Sequence, residues 1–460
     1  MGRSLGRGVL AGLPGLALVL TLANVQGAAA QSGAPSVPAA PAELTQPAPI
    51  SATARRLFEG ARGQLLQVRT LLAQQDSQAS VGSGFAVSED GLVMSNYHVV
   101  SQAALEPESY RLRFQTADGR QGSLQILAID VRRDLSLLRA VDDQGQPLRW
   151  TQPLRFRPAG EALGKGERIY SLGHPHDVAF AIVEGNYNGL VERSFDDLIY
   201  YAGSLNPGMS GGPVLDEQGR VVAVNVATML FSQQMSFLIP GGFAEQLLAR
   251  ARSNPPLRGP AWSQVRDQVL AFSDELGARF MAQPWRSFGH ARYRMPIPQE
   301  SFMRCWGKGV DPQAKGLQFS RNQCRQDHAL FVNGSLQTGY LEVQHEIYDG
   351  SRIGALRFAK QYSGSFANEN LGRPQERERT QAHCTESFID AQGLPARAVV
   401  CLRAYRKMEG VHDLTVLVTA VDHATEGLLG RFDARGVGFE MALKLSQHFL
   451  RGYGRQGAAR

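Results

Sequence analysis

Cysteine is scarce in this 460-residue sequence and does not occur before residue 305. The four copies are Cys305, Cys324, Cys384 and Cys401, and no C-x-x-C motif is present. The missing motif argues against a structural zinc site. We predict no metal site and no cofactor. In an exported chain an even number of cysteines indicates disulfides. Three pairings are possible, and we favour Cys305 with Cys324 and Cys384 with Cys401 because each pair would cross-link a hairpin.

Dense runs of one charge are also missing. The formal net charge is +6, but the sequence has no stripe of Lys and Arg. Such mild basicity is typical of a solvated surface. We therefore predict polypeptide substrates as partners and no nucleic acid, and the sequence leaves the oligomeric state open.

Long apolar runs are missing too, except near the start of the chain. Arg3 and Arg7 precede an apolar stretch at residues 9–23, and small residues follow at 27–30. This order is typical of a secretory signal peptide, which we place at residues 1–30. The protein is then exported, to a bacterial periplasm or outside the cell. An uncleaved membrane anchor is the alternative, and membrane attachment is expected only in that case.

Composition divides the remaining chain into three parts. Residues 31–50 are rich in Pro and Ala and predict a flexible linker. Residues 51–252 contain many short strand patterns separated by turn signals, which indicate a sandwich or a pair of barrels. The sequence N-P-P at 254–256 marks a boundary. Residues 260–460 mix helical and strand periodicity and predict a separate, disulfide-containing α+β domain of unknown type.

Three short motifs occur in order within residues 51–252. They read S-N-Y-H-V-V from residue 95, R-D-L-S-L-L from residue 133 and N-P-G-M-S-G-G-P from residue 206, and they contain His98, Asp134 and Ser210. A serine hydroxyl needs an adjacent base to become a nucleophile, and a carboxylate fixes the tautomer of a histidine base. The chain order His, Asp, Ser is one known arrangement of such a triad.

The glycines around Ser210 support this interpretation. They permit a tight turn in which the N–H groups of Gly208 and Ser210 point into one oxyanion hole. Each motif alone is weak, since a histidine after a strand is more often structural, and Asp130 is a rival for Asp134. The three together predict the catalytic triad.

The motifs resemble those of the HtrA/Deg family and related trypsin-like serine proteases. In that family the strings are T-N-x-H-V-[VI], D-[IL]-A-[LV]-[LI] and N-P-G-N-S-G-G, so Ser136 replaces Ala and Met209 replaces Asn. The resemblance covers about residues 80–240. It implies a mainly β, chymotrypsin-like domain of two six-stranded barrels with the site in the cleft between them. No PDZ domain is recognisable after residue 252.

The resemblance also suggests a specificity pocket. By family analogy Ser204 lies near its base, and Asn225, Val226 and Ala227 form one wall. No acidic residue occurs there, which argues against Lys and Arg, and the wall strand lacks the His of related glutamate-specific enzymes. We therefore expect small or medium apolar side chains before the cleaved bond.

Two functions follow from these patterns. The first is an exported serine endopeptidase that works through an acyl-enzyme. The alternative is a protease-fold module that binds proteins or peptides, as a chaperone does, with little turnover.

Overall fold

The computed structural model describes residues 50–228, 235–286, 290–299, 301–311, 313, 315–367, 369, 371 and 377–457. The predicted signal peptide lies outside the described residues, as does the predicted linker except for Ile50. No helix in the described ranges is long and apolar enough to cross a membrane.

Six antiparallel strands close into a first barrel, in the order β1-β2-β3-β6-β5-β4. They are β1 (Leu65–Leu72), β2 (Gln78–Ala86), β3 (Leu92–Ser95), β4 (Tyr110–Thr116), β5 (Gln121–Asp130) and β6 (Leu135–Val141). In β4, Leu112, Phe114 and Thr116 are buried while the residues between them are partly exposed. This period of two places one face of the strand in the barrel core.

A second barrel of six strands has the order β10-β11-β12-β9-β8-β7. Its strands are β7 (Arg168–Gly173), β8 (Ala181–Leu190), β9 (Ile199–Ala202), β10 (Pro213–Leu215), β11 (Val221–Thr228) and β12 (Ser236–Pro240). The two barrels confirm the mainly β, chymotrypsin-like architecture expected from the sequence.

Three helices accompany the barrels. They are α1 (Ala52–Ala61), α2 (Tyr97–Leu105) and α3 (Gly241–Ala251). The sequence L-V-M-S-N-Y-H-V-V at 92–100 predicts one strand that reaches past His98, and this is wrong in its second half, because β3 ends at Ser95 and α2 begins two residues later. Asn96 at the helix N-cap has an extended backbone, with φ −84° and ψ 153°. Its side chain bonds outside the helix, to the carbonyl of Asp134, which fixes the point where strand gives way to helix.

The C-terminal region is built on a seven-stranded antiparallel sheet, in the order β14-β15-β18-β22-β21-β20-β19. Its strands are β14 (Arg304–Lys308), β15 (Gln318–Arg325), β18 (Tyr340–Asp349), β19 (His383–Asp390), β20 (Pro395–Ala404), β21 (Val411–Ala420) and β22 (Glu426–Gly438). Two small pairs accompany it, β13 (Tyr293–Arg294) with β23 (Gly454–Arg455), and β16 (Leu330–Asn333) with β17 (Leu336–Thr338). The helices are α4 (Trp262–Met281), α5 (Ala355–Ala367) and α6 (Phe439–Arg451), so the expected α+β class is confirmed.

The sequence R-F-D-A-R at 431–435 shows how this sheet is covered. Phe432 stacks between Phe280 of α4 and Phe449 of α6, with ring centroids 5.5 and 5.3 Å away. On the opposite face, Arg431 and Arg435 both pair with Asp433. The alternation therefore gives the sheet an apolar face for α4 and α6 and a face of ion pairs.

Two disulfides cross-link neighbouring strands at both edges of the seven-stranded sheet. Cys305 of β14 bonds Cys324 of β15, and Cys384 of β19 bonds Cys401 of β20. Each pair lies directly opposite in the antiparallel register, with Cα atoms 4.0 Å apart. The structure thus has the local pairing that the sequence favoured.

The C-terminal region packs directly on the first barrel. The Gln268 side chain of α4 accepts from the N–H of Val131 at 2.8 Å and donates to the carbonyl of Ile129 at 3.1 Å. One continuous hydrophobic core includes Val68 and Leu138 of the barrel together with Phe272 of α4.

Candidate active site

His98 and Asp134 form a bonded pair at the edge of the first barrel. His98 Nδ1 donates to Asp134 Oδ2 at 2.5 Å, and the backbone N–H of His98 donates to Asp134 Oδ1 at 2.7 Å. Both carboxylate oxygens are therefore committed to the histidine residue. With Nδ1 bearing the proton, Nε2 is left as the basic nitrogen of the ring.

Backbone contacts hold Asp134 in this position. It is the last residue of the turn before β6 and has φ +50°, an uncommon conformation for a residue other than glycine. Its carbonyl accepts from Asn96 Nδ2 at 2.7 Å and from the N–H of Tyr97 at 3.2 Å. These two hydrogen bonds attach the N-terminus of α2, the helix that carries His98, to Asp134, the residue just before β6.

The electrostatics of the pair favour a protonated imidazole. Burial lowers the pKa of His98, but the negative charge of Asp134 and its hydrogen bond raise it, and the net result is a pKa above the usual histidine range. The ring is 28% exposed, so solvent reaches it.

Asp130, the rival aspartate, has a different role. Its carboxylate is buried, accepts from Arg250 of α3 at 2.7 Å and also accepts from the N–H of Arg133 at 3.1 Å. These contacts tie the end of β5 to α3, so Asp130 is part of an ion pair away from the histidine.

Ser210 lies on a glycine-flanked turn before β10. Its Oγ donates to the carbonyl of Val226 at 3.3 Å, and the described residues contain no hydrogen bond between this hydroxyl and the His98 ring. Val226 occupies an irregularity in the pairing of β11 with β12, which leaves its carbonyl free for the hydroxyl. A hydrogen bond from Ser210 to the imidazole would require rotation of the serine side chain away from Val226.

The turn also presents backbone N–H groups for an oxyanion. Within the described part of the chain, the N–H groups of Gly208 and Ser210 donate to no protein acceptor. The preceding carbonyl, that of Pro207, accepts from the N–H of His176 at 2.8 Å and so is directed away from this space. Gly208 has φ +95°, and a Cβ there would lie 2.4 Å from the carbonyl oxygen of His174, so only glycine fits.

Two buried side chains brace the serine turn. Ser83 Oγ donates to the carbonyl of Gly208 at 2.7 Å and accepts from the N–H of His174 at 2.9 Å. Asn225 Nδ2 donates to the carbonyls of Leu172 at 2.9 Å and of Met209 at 3.2 Å. The turn is therefore held from both barrels, since Ser83 belongs to β2 and Asn225 to β11.

The two departures from the family motifs have simple structural reasons. Met209 is fully buried in the core of the second barrel, beside residues such as Leu205 and Val214. Ser136 is also buried and donates from Oγ to the carbonyl of Asn96 at 3.0 Å. Neither replacement places a new side chain in the cleft.

The structure separates the residues proposed for the specificity pocket. Ser204 is exposed, whereas Asn225 is fully buried, and its side chain bonds beneath the serine turn instead of facing a substrate. Val226 is half-buried and lines a cavity together with His98. The backbone of Ala227 continues β11, and its side chain lies outside the described set. The pocket itself stays a prediction.

Sequence reasoning missed the bracing residues Ser83 and Asn225 as supports of the turn. It also missed Phe331, which packs edge-on against His98 with ring centroids 5.9 Å apart. Phe331 comes from the C-terminal region, 233 positions along the chain, and no local motif indicates such a contact.

Comparisons with known proteins agree with this geometry. Residues 82–224 match the family model of the trypsin-like peptidase domain. Protease Do-like 1, chloroplastic, from Arabidopsis thaliana is 27% identical over 228 residues, which are 44% of this chain and 49% of the relative. Serine protease HTRA1 from Xenopus laevis is 30% identical over 188 residues, 39% of this chain and 38% of the relative. A probable periplasmic serine endoprotease, DegP-like, from Chlamydia trachomatis is 29% identical over 182 residues, 38% and 34% of the two chains.

Solved structures match a similar share of this chain. The crystal structure of Deg5 is 23% identical, with a TM-score of 0.36, and the match covers 43% of this chain and 93% of that one. The chain thus spans about half or less of the length of the curated relatives it matches. Residues 82–224 therefore resemble trypsin-like peptidase domains and, among them, the HtrA/Deg serine proteases.

Proposed function

We propose that this protein is an exported serine endopeptidase whose catalytic triad is His98, Asp134 and Ser210. The observation that carries the proposal is the His98–Asp134 pair, with Ser210 on a turn whose two backbone N–H groups have no protein acceptor among the described residues. Acyl transfer needs this combination of base, nucleophile and oxyanion donors.

In the first step Ser210 Oγ rotates away from Val226 and attacks the carbonyl carbon of a peptide bond. His98 Nε2 takes the hydroxyl proton as the C–O bond forms, and Asp134 stabilises the resulting imidazolium. The negative charge on the substrate oxygen is held by the N–H groups of Gly208 and Ser210. Loss of one such donor typically reduces the rate by about 10²–10³-fold.

The intermediate collapses when the C–N bond breaks and the imidazolium returns its proton to the leaving amine. An ester between Ser210 and the substrate carbonyl remains. Water then attacks this ester while His98 takes its proton, and the second collapse releases the acid and restores the serine hydroxyl.

Export and polypeptide substrates belong to the same proposal. They are supported by the leader-like residues 1–30 and by relatives whose names describe periplasmic or other serine proteases. The proposal includes a preference for a small or medium apolar residue before the cleaved bond. The absence of acidic residues around Ser204 and Val226 supports this preference over Lys and Arg.

The decisive experiment compares purified wild-type protein with Ser210→Ala in a peptide-cleavage assay and in labelling by a fluorophosphonate. Labelling forms an O–P bond at the activated serine and releases fluoride. We expect Ser210→Ala to lower kcat by roughly 10⁶-fold and to abolish labelling.

Ser253→Ala is the matched control, because Ser253 is an exposed serine beyond α3, and it should behave as wild type. Equal cleavage by Ser210→Ala and wild type would refute the triad. Binding of unfolded polypeptides without any serine-dependent cleavage or labelling would instead favour the chaperone-like alternative.

A further inference from the structure

A cavity of about 350 Å³ lies beside the His98–Asp134 pair, between the barrels and the C-terminal region. Its lining is mainly apolar and includes residues from the first barrel, the second barrel and the C-terminal region. The apolar lining residues include Phe195, Leu198, Val226, Phe272, Leu330 and Phe331. Since His98 and Asp134 also line the cavity, it adjoins two of the three proposed catalytic residues.

The hairpin of β16 and β17 forms the wall nearest to the histidine. Phe331 packs edge-on against His98 and against Tyr97, with ring centroids 5.9 and 6.3 Å apart. The Tyr97 hydroxyl donates to the carbonyl of Val332 at 2.9 Å. The hairpin is therefore attached to the helix that carries His98, and the position of Phe331 is fixed relative to the imidazole.

The opposite wall is equally well supported. Phe195 packs edge-on against Phe272 of α4, at 5.2 Å. Arg132 pairs with Asp196 at 2.7 Å and with Glu275 of α4 at 2.6 Å. The loop that carries Phe195 is thus held against the C-terminal region by this edge-on contact. Arg132 adds a second link, because it pairs with Asp196 of the loop and with Glu275 of α4.

The charged residues around the cavity are mostly neutralised by each other. Arg132 is paired as described, and Arg133 stacks on Phe243 at 4.4 Å. Asp134 bonds His98, and Asp197 is exposed. A charged substrate side chain that entered would lose water beside Arg132 and Asp134, which already have charged partners, whereas an apolar side chain would bury its surface against the aromatic lining.

We infer that Phe331 and its hairpin complete a substrate pocket for a large apolar side chain close to the scissile bond. The C-terminal region is then a specificity element of the enzyme. The inference rests on the proposed function, since the occupant is a polypeptide held for cleavage at Ser210. The pocket shares Val226 with the one predicted around Ser204 and differs from it in its other lining residues.

The test measures kcat/KM for a peptide series in which one Phe is moved through successive positions on both sides of a single cleavable bond. The same series with Ser is the reference. Wild type should prefer Phe over Ser by about ten-fold or more at one position. Phe331→Ala should remove most of that preference, and Phe331→Leu should keep part of it.

Phe388→Ala is the matched control. Phe388 is a phenylalanine of the same region, 74% exposed on β19, and its loss should leave the preference unchanged. Thermal melting of each variant verifies folding. Unchanged selectivity in folded Phe331→Ala would overturn the inference, as would an equal rise in the cleavage of every peptide, which would mean that the hairpin obstructs the cleft.

A binding experiment separates this inference from the proposed function. In the Ser210→Ala background, the best Phe-containing peptide should bind about ten-fold more weakly when Phe331→Ala is added. If wild type cleaves nothing but this Phe331-dependent binding is present, the proposed function fails and the pocket stands. If cleavage depends on Ser210 but binding is indifferent to Phe331, the pocket fails and the proposed function stands.

Discussion

At the scale of single residues, the contact between Asp134 and His98 governs how the site responds to pH. Burial lowers the pKa of His98, and the charge and hydrogen bond of Asp134 raise it further than burial lowers it. The imidazole must be neutral to act as base. Activity should therefore rise with pH through a pKa above the ordinary histidine value of about 6.5. A profile of kcat/KM from acidic to alkaline pH measures this pKa.

Asp134→Asn provides the matched comparison. Without the carboxylate, burial alone remains, so the rising limb should move to lower pH while kcat falls by about 10⁴-fold, as in the general Ser-His-Asp template. A limb that does not move, or that moves to higher pH, would contradict the assigned electrostatics.

The same shift has a consequence for stability. Because folding raises the pKa of His98, the pair stabilises the native state fully below the pKa of the unfolded chain. This contribution is lost as pH rises through the folded pKa. The enzyme is therefore expected to be most active where the His98–Asp134 pair adds least to stability.

At the scale of secondary-structure elements, the two disulfides protect the sheet at its edge strands, β14 and β19. Edge strands have unpaired backbone groups and open most easily. The closed loops join residues separated by 19 and 17 positions. A bridge across a loop of this size stabilises by roughly 3 kcal/mol in the chain-entropy model.

Replacing both Cys384 and Cys401 by Ala should lower the melting temperature by about 3–4 °C, given roughly 2.1 cal/mol/K of unfolding entropy per residue when residues 50–460 unfold as one unit. Peptide cleavage should be unaffected below the new transition, because neither cysteine lines the cavity beside His98 and Asp134. Thr385→Ala, at an exposed neighbour on β19, is the control and should leave the melting temperature unchanged. Melting monitored by circular dichroism decides the matter, and an unchanged transition in the double variant would refute the stabilising role.

At the scale of the whole molecule, the core of the first barrel continues into the C-terminal region. The sequence predicted two separate units, with a boundary near residues 252–260. Continuity of the core instead favours cooperative unfolding, since opening one part would expose apolar surface on the other.

We expect residues 50–460 to unfold in a single calorimetric transition under non-reducing conditions, with equal calorimetric and van't Hoff enthalpies. Gln268→Ala, which removes two hydrogen bonds to the first barrel, should lower that transition. Gln264→Ala, at an exposed position of the same helix, should not. Two resolved transitions in the wild type would support independent domains.

The sequence by itself determined the features that local chemistry specifies. Short strand patterns separated by turn signals indicated the barrel strands, and the glycines of the serine motif indicated the turn, because φ +95° at Gly208 together with the nearby carbonyl of His174 favours glycine. The short spacing within each cysteine pair favoured the two bridges that the structure contains, because residues so close in sequence can face each other on neighbouring strands.

Tertiary structure alone decided the contacts between distant segments. The sequence offered both Asp130 and Asp134 as partners of His98, and only the fold shows that Arg250 occupies the first while the histidine bonds the second. It also decided that Phe331 lies against His98. Such contacts depend on how whole elements pack, and nothing in the residues near either partner encodes them.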